Sequence, residues 1–240
     1  MTNIKYYSLI LGMSGERDLI WNLILYGDIN IWMFLERKLW KMNDKIIKAI
    51  NYLFHPQKLL IRIKWKVFSR KLKYVGKGTW VGKNFSIKGA EYISIKNDFI
   101  GGINLKLHAY DSHCGKHLNT IPQIIIGNNV TFTDGVYISS INKVEIEDGV
   151  LCGGNVFITD NFHGKSEVDE LDIRPNDRLL YSKGAVHIGK NVWIGKNACI
   201  MPNVIIGDNC IVGANAVVTK NIPPNCVVAG VPAKIIREIK

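Results

Sequence analysis

VHIGKNVWIGKNACIMPNVIIGDNCIVGANAVVTKNI, residues 186–222, repeats with a period of six. An aliphatic residue returns at Ile188, Ile194, Ile200, Ile206, Val212 and Val218, and the third residue after each is asparagine: Asn191, Asn197, Asn203, Asn209, Asn215 and Asn221. An α-helix needs an apolar period near 3.6 and a simple strand a period of 2, so neither accounts for this spacing. Asparagine tolerates the left-handed backbone region that most side chains avoid, and its recurrence marks a corner. Each hexapeptide therefore reads as a short strand plus a corner. Three of them make one triangular coil of a parallel β-helix, an all-β repeat whose sixth-position aliphatics point inward and stack.

The same pattern extends toward the N-terminus. Val75-Gly76, Val81-Gly82 with Asn84, and Ile87 make a first coil; Ile95 follows eight residues later, so one corner carries two extra residues. The period blurs between Gly101 and Leu107, and residues 108–123 read as a loop that leaves the helix. Ile126, Phe132 and Ile138 restore the register, and Ile146, Cys152 and Ile158 form the next coil. From Ile158 to Ile188 the spacing is 30 residues instead of 6, which leaves an excursion of 24 residues over about 160–184. A loop of that length inside a compact repeat is usually functional. Pro223-Pro224 ends the repeat, and residues 223–240 are expected to form a tail with a short helix capping the last coil.

Residues 1–73 lack the six-residue period and hold helix-compatible runs over 20–39 and 41–53, so the chain divides into a helical, basic extension (1–73), a β-helix (74–222) and a tail (223–240). Residues 36–77 carry 13 Lys/Arg against 2 Asp/Glu, a surplus equal to the net charge of +11 of all 240 residues. Between Leu59 and Val67 basic residues alternate with bulky ones. Such a segment is either a solvated layer or a surface for anionic lipid headgroups or a phosphorylated substrate. Nucleic acid is disfavoured because no recognition motif accompanies the charge. The apolar run near the N-terminus is followed by Glu16, Arg17 and Asp18, without the small-residue site of a cleaved leader. Five cysteines, an odd number, show no metal-type pairing, and Cys152 and Cys210 fall on inward positions, as core thiols in a reducing compartment would. The expected location is the cytoplasm, with peripheral contact at the inner face of the membrane through residues 36–77.

Residues 186–237, with the NVWIG segment, the VVTKNIPP corner and the AGVPAKIIR ending, resemble the hexapeptide-repeat acyltransferases, above all the maltose and galactoside O-acetyltransferases and their surface-polysaccharide relatives. The resemblance covers roughly residues 75–240. It implies a left-handed β-helix, an exception to the usual right-handed crossover, a homotrimer, and acetyl-CoA bound in clefts between subunits.

Acyl transfer from a thioester to a hydroxyl needs a base for the hydroxyl proton, and histidine titrates near neutrality. His163 in ITDNFHG, at the start of the long excursion, stands where the resemblance implies the catalytic histidine. Asp160 either orients that imidazole or caps a corner. Asn104 in GGINLKL resembles an acceptor-binding asparagine but is equally a corner residue, and Asp111 lies in the loop that follows. Arg174 and Arg178 suit a sugar acid or phosphate, or pin the excursion to a neighbouring subunit. For the coenzyme, the resemblance implies Trp193 and Lys196 near the pantetheine arm, backbone contacts from Ala214 and Thr219, and phosphate contacts from Lys220, Lys234 and Arg237. His108, His113, Cys114 and His117 invite a metal reading, but they crowd one loop instead of separate coils, so no metal is expected. The resulting expectation is an acetyl-CoA-dependent O-acetyltransferase acting on a sugar or lipid-linked glycan in surface-polysaccharide synthesis. Two alternatives stand beside it: N-acetylation of a nucleotide-linked amino sugar, and a non-catalytic β-helix serving as an assembly module.

Overall fold

The computed structural model describes residues 56–240; the helical runs expected over 20–39 and 41–53, and residues 36–55 of the basic segment 36–77, lie outside the described residues. Three parallel sheets form the faces of a triangular prism. The chain visits them in turn, so that sequence neighbours lie on different faces and sheet neighbours come from successive coils. The first face begins with the strand Tyr74–Val75, the second with Trp80–Val81 and the third with Ser86–Lys88.

Registry holds the prism together. Val75, Ile95, Ile126, Ile146, Ile188 and Ile206 stand in one column inside the first face. Ile87, Leu107, Ile138, Ile158, Ile200 and Val218 do the same inside the third. These columns are almost wholly buried, and a second inward layer two residues earlier (Ile124, Val144 and Val186 on the first face, Val136 and Val156 on the third) is closed to solvent too. Burying one such aliphatic removes enough apolar surface from water to contribute ~1.5–3 kcal/mol.

The blur between Gly101 and Leu107 has a packing cause. Gly101 occupies the inward position of the second face, in register with Val81 and Phe132. A Cβ there would lie 2.8 Å from Leu105 Cδ2 and 3.2 Å from both Phe99 Cε1 and Val81 Cγ2. Phe99, whose ring meets Phe132 edge-on at 5.2 Å, and Leu105 thus occupy the space an inward side chain would need. The coil itself is regular; only its apolar label has moved to neighbouring positions.

Five of the six asparagines behave as corners. Asn191, Asn197, Asn203, Asn209 and Asn215 have φ between 55° and 63°, and they link coil to coil through bonds such as Asn197 Nδ2 to Asn215 Oδ1 at 3.0 Å. Asn221 differs: its Oδ1 accepts from the Ile205 backbone N at 2.9 Å, serving the preceding coil by side chain instead of by backbone shape.

Both ends of the prism are covered. The helix Pro56–Phe68 starts on proline, whose fixed φ suits a first turn. Its buried Trp65 donates Nε1–H to Thr79 Oγ1 at 3.3 Å and meets Phe85 edge-on at 5.6 Å. At the other end the expected capping helix is a strand. Lys234–Glu238 runs antiparallel to Cys226–Ala229, the last strand of the second face. The terminal coil exposes a row of N–H and C=O groups that only an extended segment can pair, and Ile235-Ile236 favours that state.

Phe132→Ala should lower stability by about 3–5 kcal/mol, since it opens a void against Phe99 and Gly101 in the middle of the column. Chemical denaturation followed by circular dichroism reads this; a loss under about 1 kcal/mol would mean that the column can collapse.

Candidate active site

One edge of the prism, between the third and first faces, collects every departure from the six-residue rule. Successive coils turn there through the 3-10 turn Ala90–Tyr92, then residues 110–122, then Ile141 and Asn142, then residues 160–185. The first loop is shorter than its expected bounds, because His108 and Gln123 belong to the flanking strands Lys106–Ala109 and Gln123–Ile126. Both loops carry small hairpins. In the first, Ser112–His113 pairs with Lys116–His117; in the second, Phe162–His163 pairs with Leu180–Tyr181.

His163 is exposed on the second hairpin, opposite Leu180. Gly164 N donates to Leu179 O at 3.0 Å, and the turn beyond closes on Glu170, whose Oε2 accepts from Lys165 N and Ser166 N at 2.6 and 2.9 Å. The imidazole is thus carried on paired backbone while open to a ligand. Its ring lies edge-on to that of His113 at 5.4 Å, from the first hairpin. His113 Nε2 donates to Asn176 O at 3.2 Å and Cys114 Sγ to the same oxygen at 3.3 Å. Asn176 sits in the 3-10 turn Pro175–Asp177 of the second loop.

Asp160 takes the corner role. Its carboxylate is fully buried, and Oδ2 accepts from Ser140 Oγ at 2.7 Å and Asn142 N at 3.0 Å, while Oδ1 accepts from Ile141 N at 2.9 Å and Asn161 Nδ2 at 3.1 Å. Four donors from its own corner and the one below saturate it, so it fixes the root of the excursion instead of orienting His163.

The proposed acceptor residues separate. Asp111 is on the same edge as His163, its carboxyl held below the usual range by hydrogen bonds from Ser112 and Tyr92. Asn104 is on a different edge, between the second and third faces, with φ 58° and its Oδ1 accepting from Asn84 Nδ2 at 3.3 Å. That is the corner reading. Arg174 pairs with Asp177 at 2.7 Å and Arg178 Nε donates to Ile173 O at 2.9 Å, so both brace the second loop. His108, 8% exposed, contacts Ser86 Oγ at 3.0 Å and Tyr110 Oη at 2.9 Å. Burial, with Lys88 and Lys106 adding to it, pushes its pKa down to about 4, so it stays neutral.

Known proteins with this architecture decide the class. The bacterial transferase hexapeptide family (six repeats) matches residues 185–220. Over 176 residues, 72% of this chain and 82% of the relative, the sequence is 36% identical to WbbJ of Escherichia coli K12, described as a lipopolysaccharide biosynthesis O-acetyl transferase. The chain belongs to the hexapeptide-repeat acyltransferases. A maltose O-acetyltransferase from Clostridium difficile 630 shares its fold with a TM-score of 0.51 and 26% identity, over 82% of this chain and 90% of that one. An acetyltransferase of Vibrio cholerae, solved with acetyl-CoA, superposes with a TM-score of 0.52 at 20% identity, covering 82% and 91%. The prism is accordingly the left-handed β-helix of this family, and the protein is an acyltransferase.

In this acyltransferase the residues expected at the coenzyme fall in three places. Trp193, 52% exposed, projects from the second face between Leu151 and Ile211. Lys196 and Ala214 stack on the edge between the second and third faces, where a Cβ on Gly195 would meet Ala214 N. Lys234 and Arg237 extend the second face on its last strand. Thr219 and Lys220 stand instead on the edge that carries His163, two coils beyond it. Among the described residues, no group of three or more His, Cys, Asp or Glu side chains is arranged to hold a metal, and no helix is long and apolar enough to cross a membrane. Nothing in the order of residues marks His113 as a neighbour of His163, because Asn176, whose oxygen it meets, lies 63 residues away and contributes only backbone.

Asp160→Ala strips the Ile141 and Asn142 N–H groups of their acceptor and should cost roughly 2–6 kcal/mol of stability, at ~1–3 kcal/mol for each orphaned donor. Its kcat per folded molecule should fall far less than that of His163→Ala; equal losses at native stability would restore the imidazole-orienting role. For His108 the unfolded ring binds protons near its ordinary 6.5 and the folded ring only near 4, so stability falls as pH drops from 6.5 toward 4. His108→Gln should flatten that part of a curve of denaturation midpoint against pH; an unchanged slope would mean that His108 also titrates normally when folded.

Proposed function

We propose that the protein transfers an acetyl group from acetyl-CoA to a sugar hydroxyl during synthesis of a surface polysaccharide or its lipid-linked precursor. The observation that carries this is an exposed histidine, His163, on a paired hairpin at the root of the longest excursion, in a chain 36% identical to an O-acetyl transferase of lipopolysaccharide biosynthesis. The relative named for maltose O-acetylation supports the same acceptor chemistry.

In this reading the acceptor hydroxyl attacks the thioester carbonyl while the His163 imidazole takes its proton. The tetrahedral intermediate collapses with loss of the coenzyme sulfur, and the imidazolium returns the proton to that sulfur, leaving ester and free thiol. Acetyl-CoA is a co-substrate. Trp193, Lys196, Ala214, Lys234 and Arg237 form its wall on one subunit, with Thr219 and Lys220 on the His163 edge, and neighbouring subunits of a homotrimer bring the two regions together. The exposed apolar row of Ile100, Leu151 and Trp193 on the second face supports such an association. Arg174 and Arg178 brace the excursion instead of meeting the sugar, and Asp111 is the acceptor-side candidate on the catalytic edge.

Thiol release from acetyl-CoA with a panel of sugars should fall by about 100-fold or more in His163→Ala, the range for losing a general base. The product should be a base-labile ester, and light scattering of the parent should give three chains. Unchanged turnover removes His163 from its role; a base-stable amide product establishes N-acylation instead.

A further inference from the structure

We propose that His113 is a positioning residue for His163 and that the first hairpin is part of the catalytic apparatus through it. The inference rests on His163 being the general base.

The two loops leave the prism from coils that are not adjacent: Ile141 and Asn142 turn the corner between them. They nevertheless meet at one side chain. The His113 ring packs edge-on against His163 at 5.4 Å with 73° between the planes, and its Nε2 lies 3.2 Å from Asn176 O. A carbonyl oxygen only accepts, so Nε2 carries a proton and the ring is held in one orientation. Cys114 Sγ–H reaches the same oxygen at 3.3 Å, so the hairpin grips this turn twice. The turn is itself fixed, by Asp177 N donating to Arg174 O at 2.8 Å and by the Arg174–Asp177 ion pair at 2.7 Å.

The consequence concerns the freedom of the general base. His163 lies near the end of a two-residue strand and its side chain is exposed, so backbone pairing alone leaves its χ angles free. The His113 ring removes part of that freedom by occupying one side of the imidazole. His113 therefore acts through His163, with no contact to the reacting atoms required. Misplacing a catalytic group by about 1 Å costs on the order of 100-fold in rate, which sets the scale of the effect.

The test compares His113→Ala, His113→Phe and His163→Ala in the full-length protein, by thiol release with acetyl-CoA and the best acceptor sugar. His113→Ala should lower kcat on the order of 10- to 100-fold with the KM for acetyl-CoA and the thermal midpoint unchanged. His113→Phe, which restores a ring without the Nε2–H donor, should recover part of the loss. A His113→Ala enzyme within about two-fold of the parent kcat, beside an inactive His163→Ala, overturns this proposal and leaves the general base standing. A matched loss of kcat and thermal midpoint, with no recovery in His113→Phe, overturns it as well, because that pattern describes a structural residue. An active His163→Ala removes the underlying reading, a separate outcome from either.

Discussion

Everything in this protein depends on the registry of inward side chains from coil to coil. A parallel β-helix has no separate core: each coil buries its apolar positions only because the next presents the same positions directly above. Ile126 requires Ile146, and Ile146 requires Ile188. An insertion inside a strand would turn every later side chain to the wrong face, so extra residues are admitted only at corners. The observed additions obey this, and those seen here share one edge.

That constraint explains where chemistry can reside. The faces are committed to stacking and the other corners to asparagine ladders such as Asn155, Asn197 and Asn215. Only the irregular edge has chain to spare for a hairpin that presents an imidazole to a ligand. Asp160 shows how the two demands are reconciled: a buried carboxylate with four donors ties the start of the long excursion to the corner beneath it. The backbone can then wander for some 25 residues and return to register at Val186. His113 and Asn176 make the complementary tie farther out, joining the two excursions to each other.

Local rules and tertiary packing disagree at a few instructive places. Gly101 erased the periodic signal because Phe99 and Leu105 fill the volume from adjacent positions, and volume in a core belongs to a neighbourhood of residues. Asn221 keeps the spacing but not the left-handed conformation, since Ile205 N needs an acceptor there. The C-terminal segment reads as a possible helix until the open sheet edge it must cover is in view; then only a strand pairs those groups.

The amino-acid sequence by itself determined the prism, its coil boundaries and the two excursions. Those follow from period and spacing, which are one-dimensional properties that stacking forces the chain to display. Tertiary structure decided the rest: that Asp160 serves a corner, that Asn104 and His163 occupy different edges, that Arg174 and Arg178 brace their own loop, and that His113 meets His163. The decisive contacts form only once the chain is folded: the Asp160 carboxylate meets donors from the corner beneath it, and His113 reaches an excursion from another coil through a backbone oxygen and a ring edge, none of which marks the order of residues.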